Sequence, residues 1–181
     1  MSTPISTPIS LHEAFVPSAL QIVGGVRALI DKAESHARDN GLEDAELIDA
    51  KLAEDMWSLP WHVRACWVHT KLALELAPTG EFSPDFTDVP ASWDAMRAMA
   101  DEAIAALEAA DADALAAIAE NELHFVLGGT RRMSFTVGNF LLSFSQPNFY
   151  FHATTFYDIL RMKGIKLSKR DFLYAPRVLE S

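Results

Sequence analysis

The segment from Gln146 to Gly164 limits the possible folds of this chain most strongly. Its spacing is that of a helix, because four residues at i, i+4, i+7 and i+11 share one face: Asn148, His152, Thr155 and Ile159. Gly164 lies where a left-handed C-cap would end the helix. An amide and an imidazole on an otherwise apolar face need hydrogen-bond partners, because burying either group unpaired costs about 1–3 kcal/mol. The segment is therefore both a core helix and the first candidate site.

The same periodicity recurs earlier in the chain. Apolar residues follow helical spacing in three further long segments, Leu11–Arg38, Ser58–Ala77 and Trp93–Glu120, the last with a possible break near Asp111. A shorter acidic helix is predicted over Glu43–Met56. Short turn-forming stretches rich in glycine or proline separate these segments, as is typical of helices packed against one another.

Two short apolar runs predict a β-hairpin ahead of the last helix. His124–Leu127 and Arg132–Thr136 flank a turn that contains Gly128 and Gly129. The last helix is predicted over Val137–Lys163, with a kink at Pro147. The predicted fold class is thus all-α, an antiparallel four-helix bundle with a short extra helix and a small β-hairpin before the last helix.

Size and composition predict one globular domain over residues 1–181, with a flexible lead-in at 1–10 and an irregular basic tail at 165–181. We expect no membrane partner, because no apolar run approaches the ~18–20 residues of a membrane span. The N-terminus has no basic region followed by an apolar core, so no secretory signal is predicted. The single cysteine, Cys66, suits a reducing cytoplasm. A net charge of −10 without a long basic run argues against nucleic acid as a partner.

Four motifs give the chain a resemblance to a known group of proteins: Leu52–Met56, His69–Lys71, Pro147–Gly164 and Lys169–Leu173. With these motifs the chain, from about Leu11 to Leu173, resembles an uncharacterised bacterial family, a domain of unknown function, of the DinB/YfiT-like superfamily. That superfamily is associated with metalloenzymes. The resemblance implies a four-helix bundle with a hairpin leading into the last helix, which agrees with the periodicity.

The resemblance also implies a metal site. Superfamily members with a metal use one histidine of the second helix and two, at i and i+4, of the fourth. Here the corresponding positions are His69, Asn148 and His152, so an amide stands where one imidazole is expected. Asp55 could add a carboxylate to a site for a divalent metal, Zn²⁺ or Ni²⁺. An amide oxygen beside imidazoles is a poor ligand for either ion.

Two functional hypotheses from different classes are open, and the first is what the resemblance implies. In the first, the protein is a metal- or thiol-cofactor-dependent enzyme that acts on a small molecule, with His69 and His152 at a polar pocket between the second and fourth helices. In the alternative, it is a non-catalytic bundle that binds a small apolar ligand or a protein partner, and the two histidines are hydrogen-bonded core residues. His69 would then be satisfied by a backbone carbonyl or by Asp55. The sequence leaves open whether the protein is an enzyme.

Further expectations concern His62, Cys66 and the oligomeric state. His62 is expected to be exposed near the start of its helix and not to be a ligand, whereas Cys66 is expected to be a small core residue. A homodimer is predicted because the third helix is rich in alanine and has Trp93 and Phe86 near it to anchor an apolar patch. Relatives in the superfamily also tend to dimerise.

Overall fold

The computed structural model describes residues 9–179. Its helices are α1 (Leu11–Asn40), α2 (Asp44–Ile48), α3 (Leu59–Trp67), α4 (Ala73–Leu76), α5 (Trp93–Glu108), α6 (Ala112–Ile118), α7 (Val137–Asn139), α8 (Gln146–Met162) and α9 (Lys169–Leu173). Two π-helical turns, π1 (Val68–Leu72) and π2 (Phe140–Ser145), and a 3₁₀ turn (Ala77–Thr79) continue these helices. The strands are β1 (Glu81–Phe82), β2 (Glu122–Leu127) and β3 (Thr130–Thr136).

The long helices enclose one apolar core. α1 packs against α5 and α8, and α3 packs against the same two helices from the other side. Along α1 the buried residues recur every three or four positions, as helical periodicity requires, and the fully buried ones include Phe15, Val23 and Ile30. Ser10 and Glu13 form a capping box that fixes where α1 begins.

The prediction of an all-α bundle is wrong, because the chain contains a three-stranded mixed sheet. The predicted hairpin is present as β2 and β3, which pair antiparallel, but β1 adds to it as a third strand parallel to β2. Gly80 adopts φ +76° and its carbonyl accepts a hydrogen bond from the His124 N–H at 2.9 Å, which aligns the strands. β1 has only two residues, too few for an alternating pattern to show in the sequence. Its Phe82 is fully buried, so the sheet is part of the core.

Two of the predicted long helices are not regular α-helices. The predicted segment Ser58–Ala77 consists of α3, π1 and α4 in succession, and the last helix consists of α7, π2 and α8. A π turn accommodates an extra residue, so the side chains that follow it change face. The last helix is therefore irregular in the π2 turn that precedes Pro147, and Pro147 is not itself the site of the predicted kink. Pro147 lies in the first turn of α8, where its missing N–H is tolerated.

The predicted acidic helix over Glu43–Met56 is too long. α2 ends at Ile48, and the chain then forms a loop closed by a bridge between Lys51 and Ser58. This loop brings Trp57 to the start of α3. The predicted break near Asp111 is confirmed, since the Asp111 side chain caps α6 by accepting a hydrogen bond from the Ala114 N–H at 2.7 Å.

The C-terminal tail is not irregular throughout. It contains α9, which opens with a capping box formed by Ser168 and Asp171 and packs on α1. The close approach requires Gly25, because a Cβ there would lie 2.8 Å from the Phe172 carbonyl oxygen. The predicted lead-in at 1–10 ends at Ser10, and residues 1–8 and 180–181 lie outside the described residues.

α1 passes the length and composition test for a membrane span, contrary to the expectation from the sequence. One 18-residue window has a mean hydropathy of 1.3, and 50% of that window is buried inside the fold. The same test is passed by core helices of soluble proteins, and α1 packs on α5, α8 and α9. α1 is therefore described as a core helix of this fold. The cytoplasmic location remains a prediction.

Candidate functional site

A cavity opens between α3, the π2–α8 segment and the loop that follows β1. Its volume is about 170 Å³. Most of its lining is apolar or aromatic, and the residues that line it are Trp57, Trp61, Arg64, Ala65, Val68, His69, Pro84, Asp85, Phe86, Phe125, Phe144, Asn148 and His152. Three of the residues predicted from the sequence, His69, Asn148 and His152, therefore lie on one cavity.

His69 is held at the cavity by the π2 segment. It lies in the π1 turn, and its Nδ1 is 3.3 Å from the Ser145 Oγ. The Ser145 hydroxyl is also 3.0 Å from the His69 carbonyl oxygen, which can only accept, so the hydroxyl donates its proton there. The hydroxyl oxygen then accepts from His69 Nδ1–H. Neutral His69 consequently carries its lone pair on Nε2.

His152 is oriented in the same way by a second histidine. The Nε2 of His62 lies 3.1 Å from the Trp57 carbonyl oxygen, so this nitrogen must carry the proton that it donates. Neutral His62 then accepts through Nδ1, which lies 3.0 Å from the Nδ1 of His152. His152 Nδ1–H is therefore the donor, and its lone pair is on Nε2, as in His69.

Asn148 completes a set of three hydrogen-bond acceptors. Its Nδ2 donates to the Phe144 carbonyl oxygen at 2.7 Å, which fixes the amide orientation and leaves Oδ1 as an acceptor. Within residues 9–179 this oxygen and the Nε2 atoms of His69 and His152 have no hydrogen-bond partner. Among residues 9–179, Arg64 Nε is the one fully buried side-chain nitrogen or oxygen that has no hydrogen-bond partner. The three acceptors are therefore not fully buried.

Burial keeps these imidazoles neutral. Desolvation, with a smaller contribution from the charge of His152, lowers the pKa of His69 to about 3. Desolvation and then the charge of His62 lower the pKa of His152 to about 4. The pKa of His62 is lowered by burial too, against a smaller opposing effect of its hydrogen bond to the Trp57 carbonyl. At neutral pH the cavity therefore presents lone pairs and no histidine charge.

Aromatic rings surround the acceptors. The Trp57 ring stacks on His152 with centroids 5.4 Å apart and planes 13° apart, and His69 lies nearly parallel to His152 at 6.5 Å. Trp61 contacts Trp57 at 5.5 Å between centroids. Phe86, whose side chain is 53% exposed, lies edge-on to Trp57. These rings form a rim and wall of polarisable apolar surface.

An ion pair lies at the cavity edge. Arg64 of α3 donates to Asp85 and lies above the Trp67 ring, 5.2 Å from its centroid. Asp85 in turn accepts a hydrogen bond from the Thr87 N–H at 2.8 Å, which holds the loop after β1 in place. The charges of Arg64 and Asp85 cancel, so this edge adds no net charge to the cavity.

The structure changes the position expected for two candidates. His62 is buried, with 1% of its surface exposed, so the prediction that it is exposed is wrong. Its position one turn before the buried Cys66 on the same helical face was a signal for this burial. Asp55 is exposed in the loop after α2 and does not line the cavity. Cys66 is buried in the core, as predicted.

The residues present do not fit the metal implied by the resemblance. Among the described residues, no group of three or more histidine, cysteine, aspartate or glutamate side chains is placed to hold a metal ion. His69 and His152 offer two imidazole nitrogens, and the third acceptor is an amide oxygen. Zn²⁺ and Ni²⁺ sites built on imidazole require at least one further nitrogen, sulfur or carboxylate ligand.

Comparisons with known proteins agree on the fold family and leave the activity open. The sequence profile of a family described as "Domain of unknown function (DUF1993)" matches residues 11–173. A crystal structure of a DinB family member protein from Shewanella denitrificans is similar to the chain, with a TM-score of 0.79 and 24% sequence identity over 94% of this chain and 96% of that one. At that identity the likeness concerns the fold alone. No curated protein matches the chain.

Proposed function

Since this chain belongs to the domain-of-unknown-function family DUF1993, its function has to be inferred from the site, and we propose that the protein binds a small, mostly apolar ring compound in the cavity beside His69 and His152. The observation that carries this proposal is an aromatic-walled cavity with three unpartnered acceptors at its polar side. A cavity with apolar walls and a few placed polar groups is the usual form of a small-molecule site.

The cavity volume limits the ligand. An apolar cavity of about 150 Å³ is known to accept benzene. The volume here is about 170 Å³, so one ring with a short substituent fits. Larger ligands would have to extend past Phe86 into solvent. The polar atoms at the cavity wall would orient the substituent, and the rings would contribute most of the contact area.

Binding can be tested with single-ring probes. Trp57 and Trp61 line the cavity, so we expect toluene, benzyl alcohol and benzylamine to change the tryptophan fluorescence saturably. Saturation-transfer NMR on the same probes gives an independent measurement. If none of the probes binds at millimolar concentration, the proposal is wrong.

The chain offers a matched pair of control variants. Phe86 lines the cavity and is 53% exposed, whereas Met162 is 52% exposed and lies outside the lining. Phe86→Ala should weaken probe binding several-fold, because it removes one aromatic wall. Met162→Ala removes a large apolar side chain of similar exposure at the C-terminal end of α8 and should leave binding unchanged. Equal losses in the two variants would indicate a general effect on stability instead of a loss of wall contacts.

A second candidate function is a metal- or thiol-cofactor-dependent enzyme of the DinB-like kind. The specific observation in its favour is that His69 and His152 line the same cavity and that each engages its Nδ1, which leaves the lone pair on Nε2. Elemental analysis of untagged protein tests it. About one Zn²⁺ or Ni²⁺ per chain, absent from the His69→Ala/His152→Ala double variant, would favour the enzyme over the simple binding protein.

A further inference from the structure

We infer that the cavity selects ligands that carry a primary ammonium group, R–NH₃⁺, on the ring compound that it binds. The inference rests on the proposed small-molecule binding and adds the chemistry of the polar substituent. It follows from three features of the site: the number of free acceptors, the balanced charge of the cavity lining and the aromatic wall.

The three free polar atoms of the site are all hydrogen-bond acceptors. His69 Nε2, His152 Nε2 and Asn148 Oδ1 all accept, and each is held in that state by a donor nitrogen of the same side chain that is already engaged. A primary ammonium has three N–H donors and no acceptor, so it can satisfy one acceptor with each proton. An alcohol supplies one donor and leaves two acceptors unsatisfied. A carboxylate supplies none.

The charges around the cavity favour a cation. Hydrogen bonds from an ammonium to neutral acceptors are charge-assisted. Arg64 is the one Lys or Arg side chain in the cavity lining, and Asp85 neutralises it. The chain as a whole carries a net charge of −10, which attracts cations at long range.

The aromatic wall favours a cation as well. Trp57 stacks on His152, so an ammonium bound to His152 Nε2 lies close to the indole of Trp57 and to that of Trp61 beside it. A cation near the face of a tryptophan ring is attracted by the ring quadrupole, and the effect grows when water is excluded. The ring of the ligand would occupy the apolar part of the cavity, toward Phe125 and Phe144.

The test compares three benzyl probes on the wild-type protein in EDTA at neutral pH. Benzylamine, which is protonated there, should bind at least about tenfold more tightly than benzyl alcohol, which corresponds to one factor of ten in Kd. Benzyltrimethylammonium keeps the charge and lacks every N–H donor, so it should lose most of that advantage. Calorimetric titration measures all three affinities on unmodified protein.

Variants assign the preference to the acceptors. His152→Leu and Asn148→Leu should each reduce the preference for benzylamine over benzyl alcohol to threefold or less, while benzyl alcohol still binds. His124→Leu, on the hairpin and outside the cavity, is the control and should keep the full preference. Thermal melts establish that each variant is folded before it is titrated.

Each outcome decides between the two proposals. Equal binding of benzylamine and benzyl alcohol refutes the ammonium inference and leaves the proposed function standing. Benzyltrimethylammonium binding as tightly as benzylamine shows selection for charge without the three hydrogen bonds, and it also refutes the inference. If benzylamine binds only when EDTA is omitted, a metal carries the binding and the inference is wrong. No binding by any probe refutes the proposed function itself.

Discussion

His62 Nδ1 lies 3.0 Å from Nδ1 of His152, and the direction of this hydrogen bond is determined by the carbonyl of Trp57. Since that carbonyl can only accept, His62 must donate from Nε2 and accept at Nδ1. The proton between the two histidines therefore belongs to His152, and the lone pair that His152 presents to the cavity is on Nε2. His62 thus positions His152, although His62 is not among the residues that line the cavity.

This relationship predicts energetic coupling between the two histidines. His62→Leu and His152→Leu should each destabilise the fold, but the double variant should lose less than the sum, with a coupling energy of about 0.5–3 kcal/mol. The reason is that either single change already removes the shared hydrogen bond. Urea denaturation of the four proteins measures the coupling. A parallel cycle between His124 and His152, which lie in separate environments, should be additive to within ~0.5 kcal/mol.

A pH dependence of stability follows from the buried imidazoles. His69 and His152 have pKa values lowered to about 3 and about 4 in the folded protein, against 6.5 for a free side chain. Between these values the unfolded chain binds protons that the folded chain does not, so stability falls as the pH is lowered through this window. Above pH 6.5 the contribution is fully present. For His152 alone it is on the order of 3 kcal/mol, since each pKa unit corresponds to about 1.4 kcal/mol.

The contribution of His152 to the pH dependence of stability can be separated from the contribution of the carboxylates. Carboxylates also titrate below about pH 5, so the comparison should be made between wild type and the His152→Leu variant. The free energy of unfolding of the wild type should decline more steeply from pH 6.5 to pH 4 than that of the variant. Parallel curves would mean that His152 is not held neutral by burial.

The long helices and the hairpin were predictable because their signals extend over many residues. Periodic burial along α1 from Phe15 to Ala37, and a glycine turn between two short apolar runs, leave few alternatives. β1 was not predictable, because two residues carry no pattern and the strand exists only through its pairing with β2. The π turns were also hidden, since the sequence of a π-helical turn follows no distinct period.

The candidate site was predictable only in part, for a related reason. His69, Asn148 and His152 lie on helices whose inward faces can be derived from spacing, so their convergence on one region could be anticipated. The aromatic wall comes from the loop before α3, the loop after β1 and the sheet, and it includes Trp57, Phe86 and Phe125. Residues in loops have no periodicity that relates them to a distant helix. Their contribution depends on the tertiary fold.

The contact between α9 and α1 predicts a sharp difference between two adjacent glycines. A Cβ at Gly25 would lie 2.8 Å from the backbone oxygen of Phe172, whereas a Cβ at Gly24 would meet the side chain of Tyr174 at 2.9 Å. A side chain can rotate away and the backbone of α9 cannot without moving. We expect Gly25→Ala to lower the free energy of unfolding by about 1–3 kcal/mol. Gly24→Ala should be close to neutral, because the helix propensity of alanine offsets the shift of Tyr174. Equal effects in thermal and urea unfolding would contradict this account.

The homodimer remains a prediction, but Trp93 can no longer be one of the residues on which it rests. Trp93 is buried and donates from its indole N–H to Asp44 at 2.7 Å, so it cannot anchor a contact between copies. The alanine-rich α5 and the exposed Phe86 remain as the apolar surface that would pack across a two-fold axis. Light scattering should give a mass of about twice the 20.0 kDa chain. A mass equal to the single chain at micromolar concentration would contradict the dimer.

Replacing one residue should convert the cavity into a metal site. In Asn148→His the third acceptor becomes an imidazole beside His69 and His152, and three imidazole nitrogens with one open position form the usual ligand set of a catalytic Zn²⁺. We expect the variant to bind close to one Zn²⁺ per chain and its melting temperature to rise with Zn²⁺ concentration by mass action. The amide of Asn148 now donates to the Phe144 carbonyl, so the new imidazole has the same carbonyl available to orient it, as second-sphere partners orient metal-binding histidines.

The controls for this gain of function come from the same three positions. Wild type should bind Zn²⁺ at least about tenfold more weakly, and Asn148→His/His69→Ala should lose the gain, because it returns to two imidazoles. Calorimetry and elemental analysis of untagged protein give the stoichiometry and affinity. If wild type already binds one Zn²⁺ as tightly as Asn148→His, the amide is not the residue that limits metal binding, and the metal-dependent enzyme becomes the better account of the site. If neither protein binds Zn²⁺, the three side chains do not converge closely enough to share an ion.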